Sequence, residues 1–417
     1  MMLIGPILLL LVLLGAPLFA IIAAGAFWNF YQAEIDLQAM AIEFYGIAEM
    51  PILLAIPLFT FAGYLLSESN APQRLVRLTS ALLGWMPAGL AIVSLVACAF
   101  FTAFTGASGV TIIALGAILF PAMQQAGYPE KFNLGLVTSA GSLGLLFAPS
   151  LPLILYGVVA EVPIENLFLA GLLPGFLMLL ILSAYSVWKN RAIRTPLGDF
   201  SWQEVSAALR ESMWEIPLPV VVLGGIYSGY FAISEAAAVT ALYVLIVDVV
   251  ILKEVSLRKL PAIIREAMIL VGGIMMILGV SRASTNFMID AGVPQQLLQW
   301  ISGFVTGEIA FMVMLLLFLL MLGAILDVFS AIVLVVPLIL PVATQFGVHP
   351  VHLGIVFLAT MQLGYITPPV GLNLFIAGYR FDRPIVNIYL STLPFFVFLM
   401  ISVVLIAFWP TLSLFLL

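Results

Sequence analysis

The sequence predicts an all-α polytopic membrane protein made of two inverted-topology repeats, each with an interrupted pair of apolar arms and a broken transmembrane helix. Three observations predict it. First, 64% of the 417 residues are hydrophobic and 8% are charged, against about 45–50% and about 25% in soluble domains. No protein interior holds that apolar excess, so lipid must be its solvent. Second, one parse into spans puts all but one of the 14 Lys and Arg residues on a single face. Third, the two halves share a spaced pattern of Gly and Pro.

Other classes are excluded by the same composition. The net charge of −6 comes from 20 acids and 14 bases, spread thinly, with no basic patch for nucleic acid. Cys98 is the single cysteine, which excludes a disulfide and a thiolate cluster. His349 and His352 lack the further ligands a zinc site needs. None of Lys131, Lys189, Lys253 and Lys259 follows a glycine, so no Walker phosphate loop is present. No cluster of acids and no nucleophile–base pair marks an enzyme.

Each span is read as a ~20-residue apolar stretch, enough to cross a ~30 Å hydrocarbon core. The first runs from Met2 to Phe30. With no base before it and too long an apolar run for a signal peptide, it reads as a retained helix. An acidic segment holding Glu34, Asp36, Glu43 and Glu49 leads to a span at Pro51–Leu66. A polar break, Ser67–Arg77, precedes an amphipathic stretch to Trp85. Apolar arms over 88–126 are cut by Thr105–Gly109, and a broken span over 131–162 is cut by Ala148–Pro152. A closing span covers Leu167–Trp188. The polar linker Lys189–Glu211 then divides the chain into repeats 1–195 and 196–417. The second repeat brings spans at Trp214–Phe231, Ser234–Leu252 and Ala262–Ser281 and an amphipathic stretch at Asn286–Phe304. Arms over 308–346 are cut at Asp327–Ser330, a broken span over 351–379 is cut at Thr367–Gly371, and the last span is Ile385–Trp409.

In this parse only Arg282 falls opposite the other bases. The positive-inside rule then places the N-terminus in the cytoplasm and the C-terminus outside. A hairpin and two short full spans have the same parity, so charge leaves that choice open. The two pairs of arms enter from opposite faces. The sequence echo supports the duplication: Leu119-Phe120-Pro121 with Gly127 matches Ile339-Leu340-Pro341 with Gly347. Asn133-Leu134-Gly135-Leu136 with Pro149 matches His352-Leu353-Gly354-Ile355 with Pro368. In transporters, sites lie at the interface of such repeats, on discontinuous helices.

A broken helix frees backbone groups that hydrocarbon does not satisfy. A bound Na⁺ satisfies carbonyls and helix N-termini attract carboxylates. The breaks at Pro149–Pro152 and Pro368–Gly371 therefore read as half-sites, or as Pro kinks that ease packing. Opposite them stand Thr105–Gly109, which includes Gly106 and Gly109, and Gly323–Ser330. Asp327, inside a long apolar stretch, either caps a half-helix or orients an ion or substrate. Thr105, Ser108, Ser150, Thr367 and Asn373 offer side-chain oxygens to an ion or substrate, or serve packing and capping. Asp248 and Glu235 read as interfacial, and the histidines as surface or packing residues. Arg282 reads as a snorkelling anchor or as a group that meets an anionic partner.

These motifs resemble a known family. Gly15-Ala16-Pro17, Ala55-Ile56-Pro57-Leu58-Phe59 with Ala62-Gly63, Phe104-Thr105-Gly106-Ala107-Ser108-Gly109, Phe120-Pro121-Ala122-Met123 and Ile366-Thr367-Pro368-Pro369-Val370-Gly371-Leu372-Asn373 are similar to the large membrane subunit of tripartite ATP-independent periplasmic (TRAP) transporters. The resemblance runs along essentially the whole chain. It implies an elevator-type secondary transporter of the bacterial inner membrane, with the arms as re-entrant helical hairpins. It also implies Na⁺ as coupling ion and a small carboxylate as substrate, from among dicarboxylates, sugar acids and keto acids. The implied partners are a small four-helix membrane subunit and a periplasmic substrate-binding protein. By motif position, Gly323, Gly364, Thr367 and Val370 correspond to one sodium site; Thr105, Gly106, Ser108, Gly144, Pro149 and Ser150 correspond to the other. Ser108, Gly109, Ser150, Asp327 and Asn373 are the expected substrate contacts. The chain departs from the pattern at Ala148-Pro149, where many relatives have two prolines, and at Asp327-Val328, where a proline often follows the acid. A standalone anion carrier of the wider ion-transporter superfamily, needing no binding protein, is the alternative.

Overall fold

A computed structural model describes residues 7–8, 10–11, 14–191 and 200–417. The predicted first-span start at Met2, Arg194 in the linker and the boundary between 195 and 196 lie outside the described residues. Among the described residues the regular structure is entirely helical. Seven helices among the described residues are long and apolar enough to cross a membrane, or eight when the pair Glu130–Leu146 and Leu151–Ala160, bent by 43°, is taken as one span. The chain is therefore a multi-pass membrane protein.

Two helices form an antiparallel pair that organises one side of the molecule. Ala55–Glu68 follows a short 3₁₀ turn at Pro51–Leu54, and Leu260–Asp290 runs alongside it. Glu68 meets Lys259 at 4.0 Å at one end, and Met50 Sδ meets Arg282 Nη1 at 3.6 Å at the other. The long helix corrects the sequence reading. Its residues continue without a break from the expected span through Asn286 to Asp290, and only Val293–Ser302 forms the separate amphipathic helix. The stop comes at Gly292, which adopts φ +72°, a conformation favouring glycine.

The first amphipathic helix also begins earlier than the sequence suggests, at Ala71, with Pro72 in its first turn. Arg74 and Arg77 are thus helical. Arg74 pairs with Glu215 and Glu254, both at 2.5 Å, and Arg77 pairs with Glu204 and Glu211. One other expectation changes. Asp248, expected at an interface, is 1% exposed and its Oδ2 has no hydrogen-bond partner. Arg282, read as a snorkelling anchor or as a group that meets an anionic partner, forms an ion pair from Nε to Glu43 Oε2 at 3.0 Å. His352 is buried, with its ring nitrogens 3.1 Å from Ser413 Oγ and 3.2 Å from the Ala407 carbonyl, which is the packing role expected of it.

Two further helix pairs meet through small residues, as membrane helices do when backbones approach closely. Glu130–Ala140 lies on Ile385–Phe408. There a Cβ at Gly135 would stand 2.1 Å from the Ser391 carbonyl oxygen. Glu308–Gly323 lies on Pro350–Gly364 in the same manner.

Candidate functional site

Four interruptions of helix meet in the interior. The first is between Gly89–Thr105 and Ser108–Gln125, where Gly106 at φ +65° and extended Ala107 turn the chain. The two helices fold back beside each other, with Thr102 Oγ1 2.6 Å from Thr111 Oγ1. The second interruption is longer than the sequence implied. The helix from Glu130 stops at Ala140, a 3₁₀ turn covers Leu143–Leu146, and helix resumes at Leu151. Thr102 Oγ1 donates to the Gly141 carbonyl at 2.8 Å, so the first turn is tied to the second break. Contact there is close enough to require glycine. A Cβ at Gly144 would be 2.3 Å from the Ala99 carbonyl oxygen, and one at Gly106 would be 2.4 Å from Leu151 Cγ.

The third and fourth interruptions form a similar pair. Glu308–Gly323 ends before Asp327, the N-cap of Val328–Gln345. Pro350–Gly364 breaks through residues 365–371 before Leu372–Phe381. The amides of Val370 and Gly371 donate to the Ala324 carbonyl at 3.1 and 3.3 Å. A Cβ on Gly364 would be 2.4 Å from the Gly323 carbonyl carbon. The Val328 amide donates to Tyr365 Oη at 2.9 Å.

Between the pairs lies a cavity of ≈ 340 Å³. Gly106, Ser108 and Gly109 line it from the first turn, and Asp327 and Phe329 from the third. Tyr64 and Leu270, from the antiparallel pair, close another side. Two helices, Ser108–Gln125 and Val328–Gln345, begin at this cavity; the first presents an uncapped positive dipole end to it, and the second is capped by the Asp327 carboxylate.

The expected site residues fall into four groups. Ser108, Gly109, Gly106 and Asp327 line the cavity. Asp327 does so while capping its helix: Oδ2 accepts from the amides of Phe329 and Ser330 at 3.0 and 3.1 Å, and Oδ1 accepts from Ser330 Oγ at 2.5 Å. Thr105, Gly144, Pro149 and Ser150 are buried behind the first turn. The hydroxyls of Thr105 and Ser150 have no hydrogen-bond partner. Asn373 is fully buried and bridges elements: Oδ1 accepts from Ser108 Oγ at 2.8 Å and Nδ2 donates to the Thr138 carbonyl at 3.2 Å. Gly323 and Gly364 touch, while Thr367 and Val370 stand on the fourth interruption. The Thr367 hydroxyl donates to the Leu363 carbonyl at 2.6 Å, which leaves its lone pairs free. Tyr64, Tyr365 and Gln362 were not anticipated. Gln362 is 0% exposed with neither amide atom paired, and a Gln inside an apolar helix was a signal available in the sequence.

The DctM component of the tripartite ATP-independent periplasmic transporters matches residues 6–412. The chain belongs to the DctM family. It is thus a large permease component of a transporter, and not an enzyme. Among its relatives, the C4-dicarboxylate TRAP transporter large permease protein DctM of Pseudomonas aeruginosa is 32% identical over 380 residues, covering 91% of this chain and 89% of that one. The isethionate TRAP transporter permease protein DctMQ of Oleidesulfovibrio alaskensis is 35% identical over 393 residues. The match covers 94% of this chain but 60% of that protein. DctM relatives are named for different substrates, including ectoine and 5-hydroxyectoine in Ruegeria pomeroyi, 32% identical over 414 residues. In fold, the chain is similar to the YdaH transporter of Alcanivorax borkumensis, with TM-score 0.60, 13% identity, and coverage of 89% of this chain and 87% of that one.

Proposed function

We propose that this chain carries out Na⁺-coupled uptake of a small carboxylate, moving a transport domain that contains the four interruptions against a scaffold in an elevator cycle. The observation that carries the reading is the cavity at which two helices begin. The uncapped helix start at Ser108 and the small polar groups there suit an anion, while Asp327 caps the other helix start and fixes its geometry. The orphaned Thr105 and Ser150 oxygens fit a cation behind the cavity. So do the contacting backbones of Gly323 and Gly364, with the lone pairs of Thr367 nearby. A hard cation such as Na⁺ takes oxygens of this kind, and helix breaks supply them in membrane transporters.

In this reading the arms are re-entrant hairpins and the halves 1–195 and 196–417 are inverted repeats. The two interruptions of each half occupy matching places in the chain order, which supports the pairing. The antiparallel pair and the amphipathic helices belong to the scaffold. Arg74, Lys253 and Lys259 lie close in sequence to the Glu68–Lys259 end of the pair, while the other end carries Arg282. That asymmetry supports placing the N-terminus in the cytoplasm and the C-terminus in the periplasm of a bacterial inner membrane. The reading includes a small four-helix membrane subunit and a periplasmic binding protein that delivers the substrate. The isethionate relative, whose name joins M and Q, is long enough to hold a second component beyond the part matched here.

The test is uptake into liposomes holding this chain and its small subunit, with the binding protein outside and labelled succinate, gluconate or pyruvate as probes. Uptake driven by an inward Na⁺ gradient is expected. Uptake that ignores Na⁺ but collapses with the pH gradient would sink the sodium assignment. Full uptake by this chain alone would favour a standalone carrier.

A further inference from the structure

A second cavity of ≈ 340 Å³ lies on the same antiparallel pair, toward its other end. Leu270 lines the first cavity, whereas Leu278, Arg282, Thr285 and Asn286 of the same helix line the second. The scaffold helices are thus shared, and the two cavities are offset along them. From residue 270 to 282 the offset is about 18 Å at about 1.5 Å per residue. The opposite wall of the second cavity includes Val333 and Pro337, from the helix that begins at Asp327.

We propose that Arg282, with Thr285 and Asn286, is a carboxylate-receiving site that completes the substrate cavity when the transport domain stands at the Arg282 end of the scaffold. This rests on the elevator reading above. Residues at i, i+3 and i+4 share one helix face, so a guanidinium, a hydroxyl and an amide converge on the cavity. Guanidinium recognises carboxylates through paired hydrogen bonds. Arg282 already holds a carboxylate, Glu43 Oε2 at 3.0 Å, in a pair whose side chains are 37% and 31% exposed. A pair this open contributes little to stability, so an arriving carboxylate exchanges with Glu43 at low cost. Glu161, at the end of Leu151–Ala160, also lines the second cavity. It belongs to the moving part. When that part shifts along the scaffold, Glu161 leaves and the helix-end cavity with its anion takes its place beside Arg282.

The experiment uses the full transporter in proteoliposomes and two readouts. Cys98, the one native thiol, is buried, and each variant is compared with the protein carrying Cys98 alone. Phe329→Cys is paired with Leu270→Cys or with Thr285→Cys, and each pair is oxidised with copper phenanthroline. Separately, Ile289→Cys, on the wall of the second cavity, is modified with an anionic or a cationic methanethiosulfonate. Cross-linking of both pairs is expected. The anionic-to-cationic rate ratio is expected to fall about tenfold in Arg282→Gln, in line with electrostatic effects on association. It should rise in Glu43→Gln, which removes the competing carboxylate, and hold in Arg282→Lys. Cross-linking of the 329–270 pair alone would overturn the elevator reading and this inference with it. Cross-linking of both pairs with an unchanged ratio, or no modification at residue 289, would overturn the inference and leave the elevator reading standing.

Discussion

Ser108 Oγ donates a 2.8 Å hydrogen bond to Asn373 Oδ1, across 265 residues of chain. The bond joins the first helix turn to the helix after the fourth interruption, and Asn373 Nδ2 continues it to the Thr138 carbonyl at 3.2 Å. One amide therefore fixes three elements around the cavity. All of it is buried, so removing Asn373 leaves two polar groups without partners, at about 1–3 kcal/mol each. Asn373→Ala is expected to lower the thermal midpoint in detergent and to reduce uptake, and Ser108→Ala to do less. Equal midpoints for wild type and Asn373→Ala would count against the bridge.

The Gly323–Gly364 contact supports a sharper prediction. A Cβ at Gly364 meets the Gly323 backbone, which has no side-chain rotamer to give way, at 2.4 Å. Overpacking of this kind costs typically about 1–3 kcal/mol. Gly364→Ala is expected to reduce the Na⁺ dependence of uptake more steeply than Gly224→Ala, since a Cβ at Gly224 would meet nothing within 4 Å. Similar Na⁺ titrations for the two variants would remove the Gly323–Gly364 contact from the ion site.

Asp327 separates capping from substrate contact. Loss of an N-cap to alanine costs about 0.5–2 kcal/mol, whereas asparagine retains an acceptor for the Phe329 and Ser330 amides. Asp327→Asn should therefore keep the thermal midpoint that Asp327→Ala lowers. If Asp327 also orients substrate, Asp327→Asn will still alter the apparent affinity for substrate in uptake assays. Identical uptake curves for Asp327→Asn and wild type would leave it a cap alone.

The interruptions were legible in the sequence because each is written in residues with fixed backbone consequences. Gly106 takes a positive φ, and Pro149, Pro152, Pro368 and Pro369 remove helical amides. The long helix Leu260–Asp290 was misread because Ser281, Arg282, Ser284 and Asn286 look like a span end in one dimension. In the fold, Ser281 and Thr285 are buried and Arg282 is paired to Glu43, so polarity there marks a lined cavity within a continuous helix. Asp248 was misplaced for the converse reason. Its sequence position is near a span end, but the chain after it folds back, and the amides of Glu254 and Val255 donate to its carbonyl. Pairings between distant parts of the chain, like Arg74 with Glu215 and Glu254, leave no local periodic signal.

That Arg74 cluster gives a pH prediction. Burial works against the charge on Arg74 and on Glu254, but their mutual hydrogen bonds, with the Asn70 amide on Glu254, outweigh it. Arg74 is held above its ordinary value and Glu254 below its own. A depressed carboxylate contributes stability that is present above its unfolded pKa, about 4.3, and is lost as pH falls through the lower folded value. Arg74 contributes below its unfolded value and so stays charged throughout this range. The wild-type thermal midpoint should therefore drop as pH is lowered from about 5 to about 3, and part of that slope should vanish in Glu254→Gln. Arg74→Met should be the more damaging change at neutral pH, because it leaves Glu215 and Glu254 without their cation. Glu215 and Glu254 are partly buried, so stranding them costs less than the roughly 3–5 kcal/mol of a fully buried pair. A pH profile for Glu254→Gln that parallels wild type, or an Arg74→Met midpoint unchanged at neutral pH, would show that the cluster does not hold the amphipathic helix Ala71–Leu83 to the scaffold.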